Sequence, residues 1–255
     1  MAYRTVTAEG DPDYQPPCLL LRGGEIVTAE ITWKDTDDND YTVPANDSTV
    51  AGYGPTGGLS QSTLFTSPVF SSPTLTVDVD CQEKAGLYEG YVKLVSSEEP
   101  VAILPFYMSV APFLHGANDA TYSPVTVQAL QRHLQDWLLS RHELLPTLEF
   151  NAALLFEGVR EALEMWNSTP PITNQYTSEY FPYHTMLLDG ASWMVLRKFR
   201  MHLARNRLPV QGAEIDDKVR QAPYDAYASE FEHKFLTAMF TQKRSDDIAN
   251  GFAVI

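Results

Sequence analysis

The chain reads as an α+β protein, with an N-terminal antiparallel β-sandwich over residues 1–112, a joint at 113–124 and a C-terminal α-helical domain over 125–255. Three observations predict this. Apolar residues alternate with period two from Cys18 to Val110, the spacing that puts neighbouring side chains on opposite faces of a strand. Turn formers cut that half into short segments, as in sandwiches. Past Pro124 the apolar period lengthens to that of a helix.

Taken in order, Ile26 to Trp33 alternates on both faces and predicts a strand. Asp35-Thr-Asp-Asp-Asn-Asp40 breaks it, and Tyr41-Thr-Val43 resumes as in a hairpin. Leu75 to Cys81 alternates strictly, with Leu75, Val77, Val79 and Cys81 on one side. Tyr88 to Ser96 and Val101 to Val110 predict two more strands around Ser96-Ser-Glu-Glu-Pro100. The segment Ala51 to Pro73 is rich in Gly, Ser, Thr and Pro, which predicts a long surface loop or an arm that crosses to a neighbouring subunit.

In the second half Thr126 is placed to cap a helix whose stripe is Val127, Leu130, Leu134, Trp137 and Leu138. Pro146 ends that region and Thr147 is the next candidate cap. Leu148 to Trp166 predicts a helix with Phe150, Ala153, Leu154, Phe156, Val159, Ala162, Leu163 and Trp166 over a wide apolar face. Glu157 and Glu164 are each spaced to pair with Arg160. Pro170-Pro171 forces the chain out of that helix. A third helix is predicted from Tyr183 to Arg205, with Gly190 and Ala191 permitting close approach of another helix. A last helical region runs from Asp216 to Lys243, loosened or broken at Pro223.

Composition narrows the classes. The 44% hydrophobic and 11% aromatic content is that of a chain able to bury a core, so disorder is not expected. The net charge of −15 argues against nucleic acid or an anionic membrane as the main partner. Residues 1–112 carry 5 Lys+Arg against 16 Asp+Glu and residues 113–255 carry 13 against 17, so the acidity sits in the first half. Cys18 and Cys81 are too few for a disulfide scaffold or thiolate metal site and predict free thiols. The first residues lack the apolar core of a signal peptide and no run reaches a membrane span, which predicts synthesis in a cytoplasm.

The chemical motifs fail on inspection. Asp35-x-Asp37-x-Asn39 opens like a calcium loop, but Asp40 stands where the turn needs Gly and Asn46 where a bidentate Glu belongs. His142-Glu143 lacks a second histidine four residues on, where Pro146 stands. Gly52 to Gly58 lacks the Lys-Ser/Thr of a phosphate loop, and there is no nucleophile elbow. Asp78 and Asp80 share one strand face and read as its solvent side. No enzyme activity, cofactor or metal is expected.

One feature stands out against the acidic background. Arg197, Lys198, Arg200, Arg205 and Arg207, with His202, place five cations within eleven residues. Such a run is commonly a solvated helix face; its functional reading is a protein-interaction surface that meets an acidic neighbour, such as the acidic half of a next copy, with DNA contact the weaker alternative.

Leu20-Leu-Arg-Gly-Gly-Glu-Ile-Val27, followed by an acidic turn, and Ala85-Gly-Leu-Tyr-Glu-Gly-Tyr-Val-Lys-Leu94 resemble the immunoglobulin-like N-terminal domain of phage baseplate upper proteins. Asn151, Ala162-Leu-Glu-Met-Trp-Asn167, Pro170-Pro171, Tyr176-Thr-x-x-Tyr-Phe-Pro182, Leu187-Leu-x-Gly190 and Arg205-Asn206 resemble helical structural proteins of tailed-phage heads and tails. The resemblance implies a non-enzymatic virion component in the neck, a ring of copies joined to portal, adaptor or tail proteins. A baseplate or tail-tip subunit is the alternative. A glycan-binding or hydrolytic protein using the sandwich for recognition is the rival from another class, and a cleft beside Asp78 and Asp80 would favour it.

Overall fold

The computed structural model describes residues 4–13, 15–35, 37–44, 46, 48–56, 63–65, 68–80, 85–97, 99–112, 124–134, 150–172, 175–205 and 217–249, the side chains of 202–205, 217–222 and 249 excepted. The strands are β1 (Arg4–Gly10), β2 (Cys18–Arg22), β3 (Ile26–Trp33), β4 (Ser48–Pro55), β5 (Thr63–Leu64), β6 (Val69–Ser71), β7 (Thr74–Asp80), β8 (Gly86–Ser96) and β9 (Glu99–Ala111). The helices α1 (Val127–His133), α2 (Ala152–Ser168), α3 (His184–Arg205) and α4 (Asp217–Ala249) follow them, so the α+β class holds. Of the predicted joint at 113–124, residues 113–123 lie outside the described residues.

Two sheets form, ordered β1-β3-β7-β6 and β2-β9-β8-β4-β5. Purely antiparallel sheets were the expectation, and two edges correct it: β1 runs parallel to β3, and β2 parallel to β9. The cause is connectivity. A hairpin makes antiparallel neighbours, whereas parallel ones need a crossover. Here β2 sits in the other sheet between β1 and β3, so the chain crosses over and returns in the same direction. The partner of β3 on its other side is β7, in antiparallel register. The expected hairpin through the acidic turn shrinks to a Lys34–Asp40 bridge and a Tyr41 N–H bond to the Trp33 carbonyl.

The two sheets bury one core between them, from Val27, Ala29, Ile31, Leu75 and Val77 on one side and Leu19, Leu21, Val92, Leu104 and Phe106 on the other. Trp33 is fully buried there and its indole N–H donates to the Pro105 carbonyl at 2.9 Å, so its one polar group is satisfied. The expected long loop from Ala51 to Pro73 is corrected as well. Ala51 to Pro55 belongs to β4 and pairs with β8, and β5 and β6 take up Thr63–Leu64 and Val69–Ser71; residues 57–62 lie outside the described ones. Glycine composition misleads because Gly52 is a packing residue: a Cβ there would lie 2.8 Å from the Thr63 carbonyl oxygen of β5.

Thr126 caps α1 as predicted, its hydroxyl accepting from the Ala129 N–H at 3.1 Å. The cap of α2 is Asn151, whose side chain accepts from the Leu154 N–H at 2.7 Å; Trp137, Leu138, Pro146 and Thr147 lie outside the described residues. Gly158 and Gly190 set the helix spacing on either side of α3. A Cβ at Gly158 would come within 2.5 Å of Val195, and one at Gly190 within 2.7 Å of the Phe235 ring. The last helix was expected to be loosened or broken at Pro223; it is not broken, and α4 runs through it. It falls in the second turn, where its ring costs one backbone bond near an end, and downstream Phe235 and Met239 are buried against the helical core.

Between α2 and α3 the Pro-Pro turn is tied into a knot. Trp166 is buried edge-on against Phe181 at 5.0 Å and beside Tyr183 at 5.4 Å. Asn167 donates its amide to the Tyr176 carbonyl at 2.8 Å and accepts from the Tyr176 N–H at 3.0 Å, bridging the turn from both sides. From α4 the nearly buried Lys243 lies over the Trp166 ring and donates to the carbonyls of Thr169, at 2.5 Å, and Pro171, at 3.2 Å. Those bonds satisfy acceptors at the end of α2. Tyr183 donates to Asp246 at 3.1 Å and accepts from Gln242 at 2.7 Å.

Burial and the Asp246 carboxylate push the Tyr183 phenol up to about 12. A phenol whose folded pKa exceeds its unfolded value of 10.0 holds its proton longer in the folded state. Its stabilisation is therefore complete below pH 10 and lost as pH climbs toward 12. Tyr183→Phe is expected to flatten that part of the stability profile, read by urea unfolding at pH 9, 10 and 11. Parallel profiles for the two proteins would contradict the assignment.

Candidate interaction surfaces

The helical body is not hung on the strands by a linker alone. Tyr107, on the outer face of β9, stacks on Phe156 of α2 with centroids 4.1 Å apart and planes 7° from parallel. Leu87 and Tyr107 belong to the same buried cluster as the helices. Polar bonds frame the contact: Ser178 accepts from the Leu87 N–H at 2.8 Å, Ser109 accepts from the Val127 N–H at 3.0 Å, and the Tyr88 hydroxyl meets Glu179 at 2.5 Å. Arg160 reaches Glu89 at 3.8 Å and Glu164 at 3.7 Å. Glu157, expected to pair with Arg160, turns instead to Lys198, because α3 brings an ammonium closer than its own helix can.

The cationic run on α3 is thereby divided. Lys198 lies 2.6 Å from Glu157 and 2.7 Å from Glu161 of α2. Burial alone would lower its pKa, but the two carboxylates bonded to it push it up, so it stays charged. Arg200 pairs with Asp225 of α4. Arg197 is exposed and has no ion pair among the described residues. Arg205 ends α3 with its side chain outside the described set, and Arg207 and the His202 side chain also lie outside it. Two of the five candidates therefore join helices within the chain, and Arg197 is presented outward. Spacing along one helix could not reveal this, since the acidic partners sit on two other helices.

An acidic cleft of about 450 Å³ opens where the end of β1, the turn after β3 and the first turn of α2 meet. Glu9, Asp11, Asp35 and Asp38 line it with one lysine, Lys34. Within the turn, Asp35 accepts from the N–H groups of Asn39 and Asp37 at 2.9 Å each, and these bonds, Asn39 first, hold its carboxyl below the usual range. Asp38 sits at φ 64°, in the left-handed region that Asp tolerates. The turn is thus built by its own backbone bonds. Sequence reading missed Glu9 and Asp11 as neighbours of the turn because it missed β1; the pairing Gly10 with Trp33 brings them together.

The remaining candidates fall on the surface or outside the described residues. Asp78 and Asp80 are both exposed on the four-stranded sheet, and Asp78 accepts from the Thr28 hydroxyl at 2.8 Å. Cys18 is a free thiol whose pKa burial pushes up; Cys81 is not among the described residues. His133 pairs with Asp189 at 3.1 Å, and His115 and His142 lie outside the described residues. Among the described residues no group of three or more His, Cys, Asp or Glu is placed to hold a metal ion, and no helix is long and apolar enough to cross a membrane.

No family model matches the chain, and no curated protein does. Among solved structures it is similar to the cysteine protease inhibitor EhICP2 from Entamoeba histolytica, at 8% identity over 43% of this chain and 99% of that one, with a TM-score of 0.24. It is also similar to the N-terminal domain of ORF48 of phage TP901-1, at 13% identity over 43% of this chain and 98% of that one, with a TM-score of 0.28. Amebosin aligns at 10% identity over 44% of this chain and 99% of its own, with a TM-score of 0.21.

Proposed function

We propose that this chain is a non-enzymatic structural subunit of a tailed-phage particle, assembling as a ring in the neck, with portal, adaptor or tail proteins as its neighbours. What supports this reading is the work assigned to the residues that carry the family resemblance. Trp166, Asn167, Pro170-Pro171, Tyr176, Phe181 and Gly190 all meet in the knot around the Pro-Pro turn or in the α3–α4 contact. They hold three helices in fixed relation. A residue set spent on rigidity suits a part whose task is to keep its surfaces in register with neighbours.

Charge supports the same reading. A ring built from one chain needs two different, complementary surfaces on each copy. The acidic cleft and the outward Arg197 are a pair of that kind. The rival reading, recognition or hydrolysis beside Asp78 and Asp80, rests on two carboxylates that stand exposed on the four-stranded sheet. A DNA role is not favoured, because a chain of charge −15 with two of its clustered cations already paired offers phosphate little.

The test is the mass of the purified chain by light scattering from ~1 to 100 µM, the range in which weak self-contacts fill. Growth to a closed oligomer that salt weakens is expected. Arg197→Glu is expected to weaken that growth about tenfold while leaving the unfolding midpoint unchanged, since the side chain is exposed. Oligomers indifferent to both salt and the substitution would remove charge from the account, and a monomer throughout would remove the ring.

A further inference from the structure

The five-stranded sheet has one outer face, and the described residues cover only part of it. In register across β2, β9 and β8, Cys18, Tyr107 and Glu89 form one row and Leu20, Ser109 and Leu87 the next. Those rows lie under α1, α2 and the segment between α2 and α3, through the Ser109 bonds, the Tyr107 stack and the Leu87 bond to Ser178. Arg160 closes the covered part at Glu89.

Beyond that boundary the same face continues, half-buried and then exposed, with no helix over it among the described residues. Its next rows are Pro105, Tyr91 and Gly52, then Ile103, Lys93 and Val50. Alternation fixes which residues point outward: Val92, Leu94, Leu104 and Phe106 go to the core, and their neighbours go out. Ile103 is 63% exposed, Val101 39% and Val50 38%. A sheet face normally alternates apolar-in with polar-out. Here the outward set is apolar too, and these two rows hold no carboxylate and one charge, Lys93, which has no ion pair among the described residues.

We infer that this uncovered half-face is the seat of a second copy of the chain. Two observations select that occupant. The face is continuous with an interface the chain already makes, in which apolar strand residues accept a polar-framed helical body, so its chemistry is that of an internal contact left open. The charge pattern does the rest. Copies of a chain at −15 repel wherever carboxylates meet, and the two rows set one cation and no anion against an acidic surface. The contact is heterologous, because a two-fold contact would offer Lys93 only a face without carboxylates. The inference rests on the ring reading and names one of its surfaces.

Sedimentation of the full chain with Ile103→Asp and Lys93→Glu tests it. Both residues are outward, so both variants are expected to keep the unfolding midpoint, and Ile26→Asp, on the other sheet where Ile26 is 40% exposed, serves as the matched control. Each of the two variants is expected to weaken self-association about tenfold or more, the control less than about twofold. Closed rings that form equally well in both variants would overturn this inference and leave the ring reading intact. Association lost in both variants from a wild-type species that is a dimer would keep this surface but overturn its heterologous geometry and the ring. A wild-type monomer at ~100 µM would overturn both.

Discussion

Trp166→Ala is expected to destabilise the folded chain by about 3–5 kcal/mol, the cost of emptying a large, fully packed aromatic site. The indole is 1% exposed and touches Phe181 and Tyr183, and it carries the Lys243 ammonium over its ring. Its loss opens a cavity and removes the wall beside a nearly buried cation. The matched control is Ile172→Ala in the same turn, 60% exposed and expected to change stability by less than about 0.5 kcal/mol. Urea unfolding of both variants decides. Equal, small changes would mean that the knot closes over the void and that the turn is held mainly by its hydrogen bonds.

Phe156→Ala is expected to cost about as much, roughly 3–5 kcal/mol, and to do so for both halves at once. Phe156 is fully buried, and its ring lies flat on Tyr107 of β9 while its helix lines the helical core. A double-mutant cycle with Tyr107→Ala isolates the pair, with a coupling of about 0.5–1.5 kcal/mol expected for stacked rings beyond area alone. The wild type is expected to unfold in one transition. In Phe156→Ala, strand and helix signals are expected to separate as the sheet loses its cover. A coupling near zero, with one transition retained, would mean that the Ser178, Ser109 and Glu179 bonds unite the halves without the stack.

Reading the sequence located elements by their periods, and the periods are local facts. Ile26–Trp33 appears as β3 with its predicted bounds, and Thr126 caps α1, because alternation and capping depend on residues a few positions apart. The α+β class follows from the same local signals. Where the text misled, composition stood in for pairing. Gly52 and Gly54 looked like loop, but β8 and β5 on either side turn that stretch into a central strand. Pro223 looked like a break, but an early-turn proline costs one bond, which buried Phe235 and Met239 outweigh.

The surfaces were legible only in part. The sequence by itself determined that five cations cluster between Arg197 and Arg207 in an acidic chain, since charge and spacing need no fold. Which of them face outward only the tertiary structure decided: α2 supplies Glu157 and Glu161 to Lys198, α4 supplies Asp225 to Arg200, and Arg197 is left outward. How much of the outer face of the five-stranded sheet lies under the helices was likewise decided by packing: the register of β8 and β9 puts Tyr91, Lys93 and Ile103 on that face, and among the described residues the cover ends at the Arg160–Glu89 contact. Both outcomes turn on contacts between residues tens of positions apart. Their geometry is set by how helices and sheets pack, and no local pattern carries it.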